Sequence, residues 1–292
     1  MKTRGRKLLL ATLLVVGIAA ILYGILYLAS PHEPSYEGKT LSEWIIPFCR
    51  QTATNLYAPG GPEHFKELQP VRHAVSQIGT NGLPFLIARL NRREPAFHRT
   101  ARQLADKQPL VALRLTDPRV PRVRAIRALA ILGPAAQPAI PSLSAQLTDP
   151  VLAQHAVYAL SGMGPDGMRA LIDHLTNAAP TARMLIAMTL TTPNSFYRGE
   201  NHIDTNRIPD DIVIEGLSRI VKDPTSPFRI FAINRLGTFG SAASNAIPAL
   251  TNLLTDPNLG VNMAAGSALR AMGYNAPDLD FGGRSRMPRK LF

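Results

Sequence analysis

The sequence predicts an all-α protein: a single N-terminal transmembrane helix followed by an α-solenoid of stacked helical hairpins. Three observations predict it. Residues 8–29, "LLLATLLVVGIAAILYGILYLA", carry no charge. Alanine and leucine recur in fixed register ahead of Gly133, Gly164, Gly240 and Gly273. Asp-Pro recurs at Asp117, Asp149, Asp223 and Asp256, at spacings of 32, 74 and 33 residues.

The apolar run comes first. As a helix it is about 33 Å long, against a hydrocarbon core of about 30 Å. Lys2, Arg4, Arg6 and Lys7 precede it. Such cations stay in the cytoplasm, which places the rest of the chain on the periplasmic side of the inner membrane. Tyr23 and Tyr27 fall near the outer end, where aromatic rings favour the interface. A cleaved signal peptide is the competing reading. The run exceeds the usual h-region of about 7–15 residues, and no clean small-x-small site precedes Pro31. No cysteine closes the run, which excludes lipoprotein processing. Residues 1–30 therefore read as a short basic cytoplasmic end and an uncleaved anchor.

Residues 31–69 read as a linker and a capping helix. The linker, "SPHEPSYEG", is rich in turn formers. Thr40 and Glu43 in "TLSE" have the spacing of a capping box, in which each side chain meets the other residue's backbone N–H. Trp44, Ile45, Ile46 and Phe48 supply the apolar side, with Trp44 anchoring the helix to the array.

Residues 70–273 hold the repeats. Ala125, Ala156, Ala232 and Ala265 stand eight residues before the four glycines; Leu129, Leu160, Leu236 and Leu269 stand four before. That spacing puts both on one helical face. Alanine permits close approach and leucine fills the gap. Glycine then ends the helix, since it adopts the left-handed conformation without penalty. A second helix follows. Ile140 and Ile247, Leu143 and Leu250, and Leu147 and Leu254 occupy matching positions after Gly133 and Gly240. Pro141 and Pro248 fall in its first turn, where a missing N–H costs nothing. Gly79 and Gly164 use a shorter turn, with Leu86 and Leu90 matching Leu171 and Leu175. Each Asp-Pro then supplies an N-cap and N1 of the next helix. The unit is roughly 31–37 residues long, the period of a helical solenoid.

The pattern resembles the HEAT family, including its shorter bacterial HEAT-like form. It is carried by "RAIRALAILGPAAQPAIPSLSAQLTDP" (124–150) and "AINRLGTFGSAASNAIPALTNLLTDP" (232–257), with weaker copies at 72–90, 155–175 and 262–273. "YEGKTLSEWI" ahead of "AVSQIGTNGLPFL" also resembles the opening of bacterial membrane-anchored HEAT-repeat proteins. The resemblance implies the fold and says little of function.

Three segments depart from the repeat. Residues 91–116 hold an apolar-basic helix around "FHRTARQLADK" and another after Pro109. Residues 191–207 read as a long polar loop inside one repeat, a candidate partner contact. Residues 274–292 read as a flexible basic tail.

Charge concentrates in one place. The chain carries a formal +12. The four N-terminal cations account for a third of it; the stretch from Arg89 to Arg127 holds all the rest. Arg89, Arg92, Arg93, Arg99, Arg102, Arg119, Arg122, Arg124 and Arg127 form a candidate partner-binding basic patch. It suits an acidic protein, anionic head groups or an envelope polymer; solvated helix faces are the plain alternative. Few aromatics interleave with these arginines, and the topology exports them, which argues against nucleic acid.

Chemistry is hard to find. "GMGPDG" matches GxGxxG, but a helix precedes it rather than a strand, and the repeat already accounts for Gly164. The seven histidines form no HExxH, and His155 and His174 fall at helical positions of the repeat. One cysteine, Cys49, excludes a disulfide framework and any multi-thiolate metal site. No catalytic, cofactor or metal site is expected. The sequence supports a non-catalytic, membrane-tethered scaffold for a protein partner. The alternatives are an enzyme module of the lyase or glycosylase kind found among HEAT-like proteins, or a lipid or polymer binder acting through residues 89–127.

Overall fold

A computed structural model describes residues 32–49, 62–92, 117, 119–191 and 208–274. Among these described residues the fold is all-α apart from one two-stranded hairpin. The expected anchor at 8–29, all but Asn91 and Arg92 of the segment expected at 91–116, all but Thr191 of the loop expected at 191–207 and all but Tyr274 of the tail expected at 274–292 lie outside the described residues; Asn91 and Thr191 are helical. Among the described residues no helix is long and apolar enough to cross a membrane.

The hairpin pairs β1 (Ser35–Tyr36) with β2 (Lys39–Thr40) in the segment read as a linker. Glu37 and Gly38 turn it with φ of 48° and 74°. A two-residue turn with both φ positive matches the twist of paired strands. Thr40 then caps α1 (Leu41–Trp44) through the capping box, with its N–H donating to Glu43 Oε2 at 2.7 Å. Leu41, Ile45 and Phe48 are buried, but Ile46 is 41% exposed, against expectation. Ile46 lies past the end of α1, at the start of a 3-10 turn (Ile46–Cys49), so it does not continue the face that buries Leu41 and Ile45. Trp44 is half-buried and serves the hairpin: its Nε1 donates to the Tyr36 carbonyl at 3.0 Å.

The remaining helices form two layers. One holds α2 (Pro62–Ile78), α4 (Arg119–Leu132), α6 (Ala153–Ser161), α8 (Pro180–Thr191), α10 (Arg229–Thr238) and α12 (Leu259–Ala271). The other holds α3 (Leu83–Asn91), α5 (Ile140–Ser144), α7 (Pro165–Asp173), α9 (Asp210–Lys222) and α11 (Ile247–Asn252). Within each layer every helix packs on the one before and the one after it. Neighbours in the first layer run in the same direction: Ile230 meets the backbone at Gly260, and Gly237 meets Ala268. The expected start of the repeats at residue 70 falls inside α2, which runs through Pro70.

The repeated residues do what their spacing requires. Ala125, Leu129, Ala156, Leu160, Ala232, Leu236, Ala265 and Leu269 are all fully buried. Gly79, Gly133, Gly164, Gly240 and Gly273 all have φ between 55° and 79°. Leu86, Leu90, Leu143, Leu147, Leu171, Leu175, Leu250 and Leu254 bury the second layer's inner side. After Gly133 and Gly240 the chain makes 3-10 turns before the short α5 and α11, with Pro141 and Pro248 in their first turns.

The Asp-Pro pairs act one step earlier than expected. Each aspartate accepts from the backbone N–H two residues on: Asp117 from Arg119, Asp149 from Val151, Asp223 from Thr225, Asp256 from Asn258, at 2.8–2.9 Å. These are turns that lead the chain into the helix. The cap of α12 is Asn258, whose Oδ1 accepts from Gly260.

Candidate functional site

The basic stretch folds into the end of the two layers that bears the N-terminal hairpin. α3 contributes Arg89 and, at its C-cap, Arg92. α4 contributes Arg119, Arg122, Arg124 and Arg127. Arg93, Arg99 and Arg102 lie outside the described residues, so the structure speaks to six of the nine predicted arginines.

Four of those six have partners. Arg119 Nε lies 3.5 Å from Asp117 Oδ1 at the protein surface. Arg122 donates to the Arg92 carbonyl at 2.6 Å and so completes the open end of α3. Arg127 donates to the Phe48 carbonyl, and Arg89 to Ser42 Oγ at 2.5 Å. Arg89 and Arg127 thereby fasten the capping segment to α3 and α4. Arg89, Arg122, Arg124 and Arg127 are half-buried, whereas Arg92 and Arg119 are exposed.

Using arginine to close helix ends recurs further along. Arg219 of α9 donates to the Ile172 carbonyl in the last turn of α7 at 2.9 Å, while bridging Asp173 and Glu215. Arg229 donates from Nε to the Val221 carbonyl of α9 and from a terminal nitrogen to Asp256 at 2.9 Å. The carbonyl end of a helix carries partial negative charge, which favours a cation there.

Arg92 and Arg124 are different. Neither makes an ion pair with a described residue. Arg124 Nε is buried and has no hydrogen-bond partner. Arg235 Nε is in the same position, but its guanidinium lies 5.1 Å from the centre of the Phe239 ring. Burial holds the Arg89 guanidinium below its ordinary range; Glu33 pulls it back, and the charges of Arg124 and Arg92 push it further down. Among the described residues, Glu33 is thus the carboxylate that acts on Arg89 in the field these three guanidinia share. Its Oε1 accepts from the Ser42 N–H at 2.5 Å, which fixes it to the capping segment. Sequence reasoning found the arginines but not Glu33 or Ser42, which precede the stretch by about fifty residues and carry no motif.

The other features weighed in the sequence have structural roles. His155 is buried in α6, and burial, then the charge of Arg127, lowers its pKa to about 4. It is therefore neutral near pH 7, and Gln154 Nε2 lies 3.3 Å from its Nε2. His174 Nδ1 meets the Ala170 carbonyl within its own chain segment at 2.9 Å. In "GMGPDG", Gly164 closes α6 with a φ of 78° and Gly167 presses α7 onto Leu160 of α6. Among the described residues no group of three His, Cys, Asp or Glu side chains is placed to hold a metal ion.

No family model and no curated protein matches the chain. Among solved structures, an engineered protein from the Northeast Structural Genomics Consortium is similar over 80% of this chain and 68% of that chain. The identity is 17% and the TM-score 0.35, a likeness too weak to carry an argument.

Proposed function

We propose that the chain is an α-solenoid of HEAT-like hairpins, held to the inner membrane by residues 8–29, that serves as a non-catalytic scaffold for a protein partner in the periplasm. The observation that supports this most is the hairpin itself. A buried alanine, a buried leucine and a left-handed glycine recur in one register, and each helix packs on its neighbours within a layer. Stacking of that kind produces long continuous faces, which repeat proteins use to hold partners. The hydrophobic run with its preceding cations supports the tether and the sidedness.

A topology reporter fused after Phe292 tests location. Activity of a periplasm-only reporter is expected; activity of a cytoplasm-only reporter overturns the sidedness and reopens nucleic-acid partners. Affinity capture from detergent-solubilised membranes tests the scaffold. A stoichiometric protein partner is expected. Recovery of none, together with measurable turnover by the purified protein, rejects the reading in favour of an enzyme.

A further inference from the structure

Among the described residues α12 is the last helix of its layer, and its outer side is apolar. The register of the repeated glycines says what that side is built for. In α10 the residues ten and three positions before the glycine face the next helix: Ile230 meets the backbone at Gly260, and Gly237 meets Ala268. Counted from Gly133 the same positions hold Val123 and Ala130, both buried. Counted from Gly273 they hold Met263 and Arg270. Met263 is 47% exposed, and Leu259, one turn earlier on the same side, is 61% exposed. Arg270 is exposed too; it donates to Ser267 Oγ at 3.4 Å and makes no ion pair with a described residue. Two large apolar side chains in line, beside a cation without an acid, form a side suited to being covered.

The residues that follow carry the matching chemistry. The Tyr274 N–H donates to the Leu269 carbonyl at 2.9 Å and the Gly273 N–H to that of Arg270 at 3.0 Å, a Schellman motif that closes α12. The next stretch, "NAPDLDFGG" (275–283), holds no basic residue; Arg284, Arg286, Arg289 and Lys290 all come after it. Pro277 favours extended backbone in the residue before it. In an extended run Leu279 and Phe281 share one side, and Asp278 and Asp280 the other. The lengths agree. Along the helix, Met263 lies about 16 Å and Leu259 about 22 Å back from Tyr274. An extended chain from Tyr274 covers at most about 18 Å to Leu279 and about 25 Å to Phe281.

We infer that residues 275–281 double back along the outer side of α12, with Leu279 over Met263, Phe281 over Leu259 and the two aspartates balancing Arg270. This strap takes the place that a further helix of the layer would hold, and so denies that side to a second copy of the chain.

Cysteine pairing on the full chain in detergent, with Cys49→Ser as background, tests the contact. Met263→Cys with Leu279→Cys should close an intramolecular disulfide about tenfold or more faster than Phe231→Cys with Leu279→Cys, because a docked segment has the higher effective concentration. Phe231 is exposed to a similar degree on α10. Equal rates overturn the inference. A disulfide-linked dimer in place of the intramolecular bond also overturns it and assigns the side to a second copy. Hydrogen exchange provides an arm that needs no cysteine. In a chain cut after Tyr274, amides of 263–271 should exchange about tenfold or more faster than in the intact chain. A chain cut after Gly283 keeps the strap and loses the basic residues, and should match the intact chain. Leu279→Ser with Phe281→Ser should behave like the shorter chain. Unchanged exchange in the shorter chain or in the double variant overturns the inference. So does equal acceleration in both cut chains, which would place the cover in 284–292.

Discussion

Two glycines show how different physical demands select the same residue. Gly79 needs its freedom of φ, at 58°, and has open space around it. Gly167 needs its lack of a side chain: a Cβ there would stand 2.0 Å from the Leu160 carbonyl oxygen. That oxygen belongs to helical backbone and cannot yield without moving α6. Gly79→Ala should cost about 1–2 kcal/mol through backbone strain alone. Gly167→Ala should cost more, at or beyond the upper end of about 1–3 kcal/mol for overpacking. Chemical denaturation of both variants checks the order; equal losses would mean that α6 and α7 approach less closely than that distance requires. His155 gives a second prediction at this scale. Its folded pKa of about 4 lies below the ordinary 6.5. Above pH 6.5 both folded and unfolded chains hold it neutral, and the stability it permits is complete. As pH falls from 6.5 towards 4, the unfolded chain takes up a proton that the folded chain refuses, so stability declines through that window by up to about 3 kcal/mol. The unfolding midpoint should drop between pH 7.5 and pH 5, and His155→Gln should flatten the drop. A slope unchanged by that substitution assigns the acid sensitivity to other groups.

At the scale of elements, the parts legible in the sequence are those fixed by a local period. Leu236 was readable as core because Ala232, Gly240 and their counterparts repeat its surroundings; it is fully buried between α10 and its neighbours. Leu236→Ala should cost about 2–5 kcal/mol, measured by urea unfolding, and a loss below about half a kcal/mol would break the register. The capping box of α1 was readable for the same reason, since Thr40 and Glu43 are three residues apart. What was not readable depends on which distant ends meet. Nothing local announces that Arg127 reaches the Phe48 carbonyl, or that Arg122 closes α3. The basic stretch therefore looked like one patch in sequence, whereas in the structure Arg89, Arg122 and Arg127 tie elements together and Arg92 and Arg124 are left over. The hairpin at Ser35–Thr40 was hidden by the prolines around it, and the exposure of Ile46 by the change from α1 to a 3-10 turn at that residue. The exposed apolar side chains Phe231, Leu259 and Met263 were missed because exposure depends on neighbours in other helices.

For the whole molecule, contact range decides how damage spreads. In each layer a helix rests on the ones immediately before and after it, and the ion pair Arg229–Asp256 joins α10 only to the turn leading into α12. Arg89 and Arg127 likewise join the capping segment only to the first helices. If the layers act as the proposed repeat array, stability is a sum of units and nearest-neighbour interfaces and need not be uniform along the length. Leu236→Ala removes packing from α10. Its effect should reach α8, α9, α11 and α12, which touch α10 or its hairpin, and fade before α2 and α3. Native-state hydrogen exchange on the full chain checks this. Amides in 210–271 should exchange faster in the variant by a factor set by the lost free energy, about 30-fold or more for 2 kcal/mol, while those in 68–91 keep their protection. A uniform acceleration in both regions would show one cooperative unit, and with it a chain whose two ends share a core rather than a stack of hairpins.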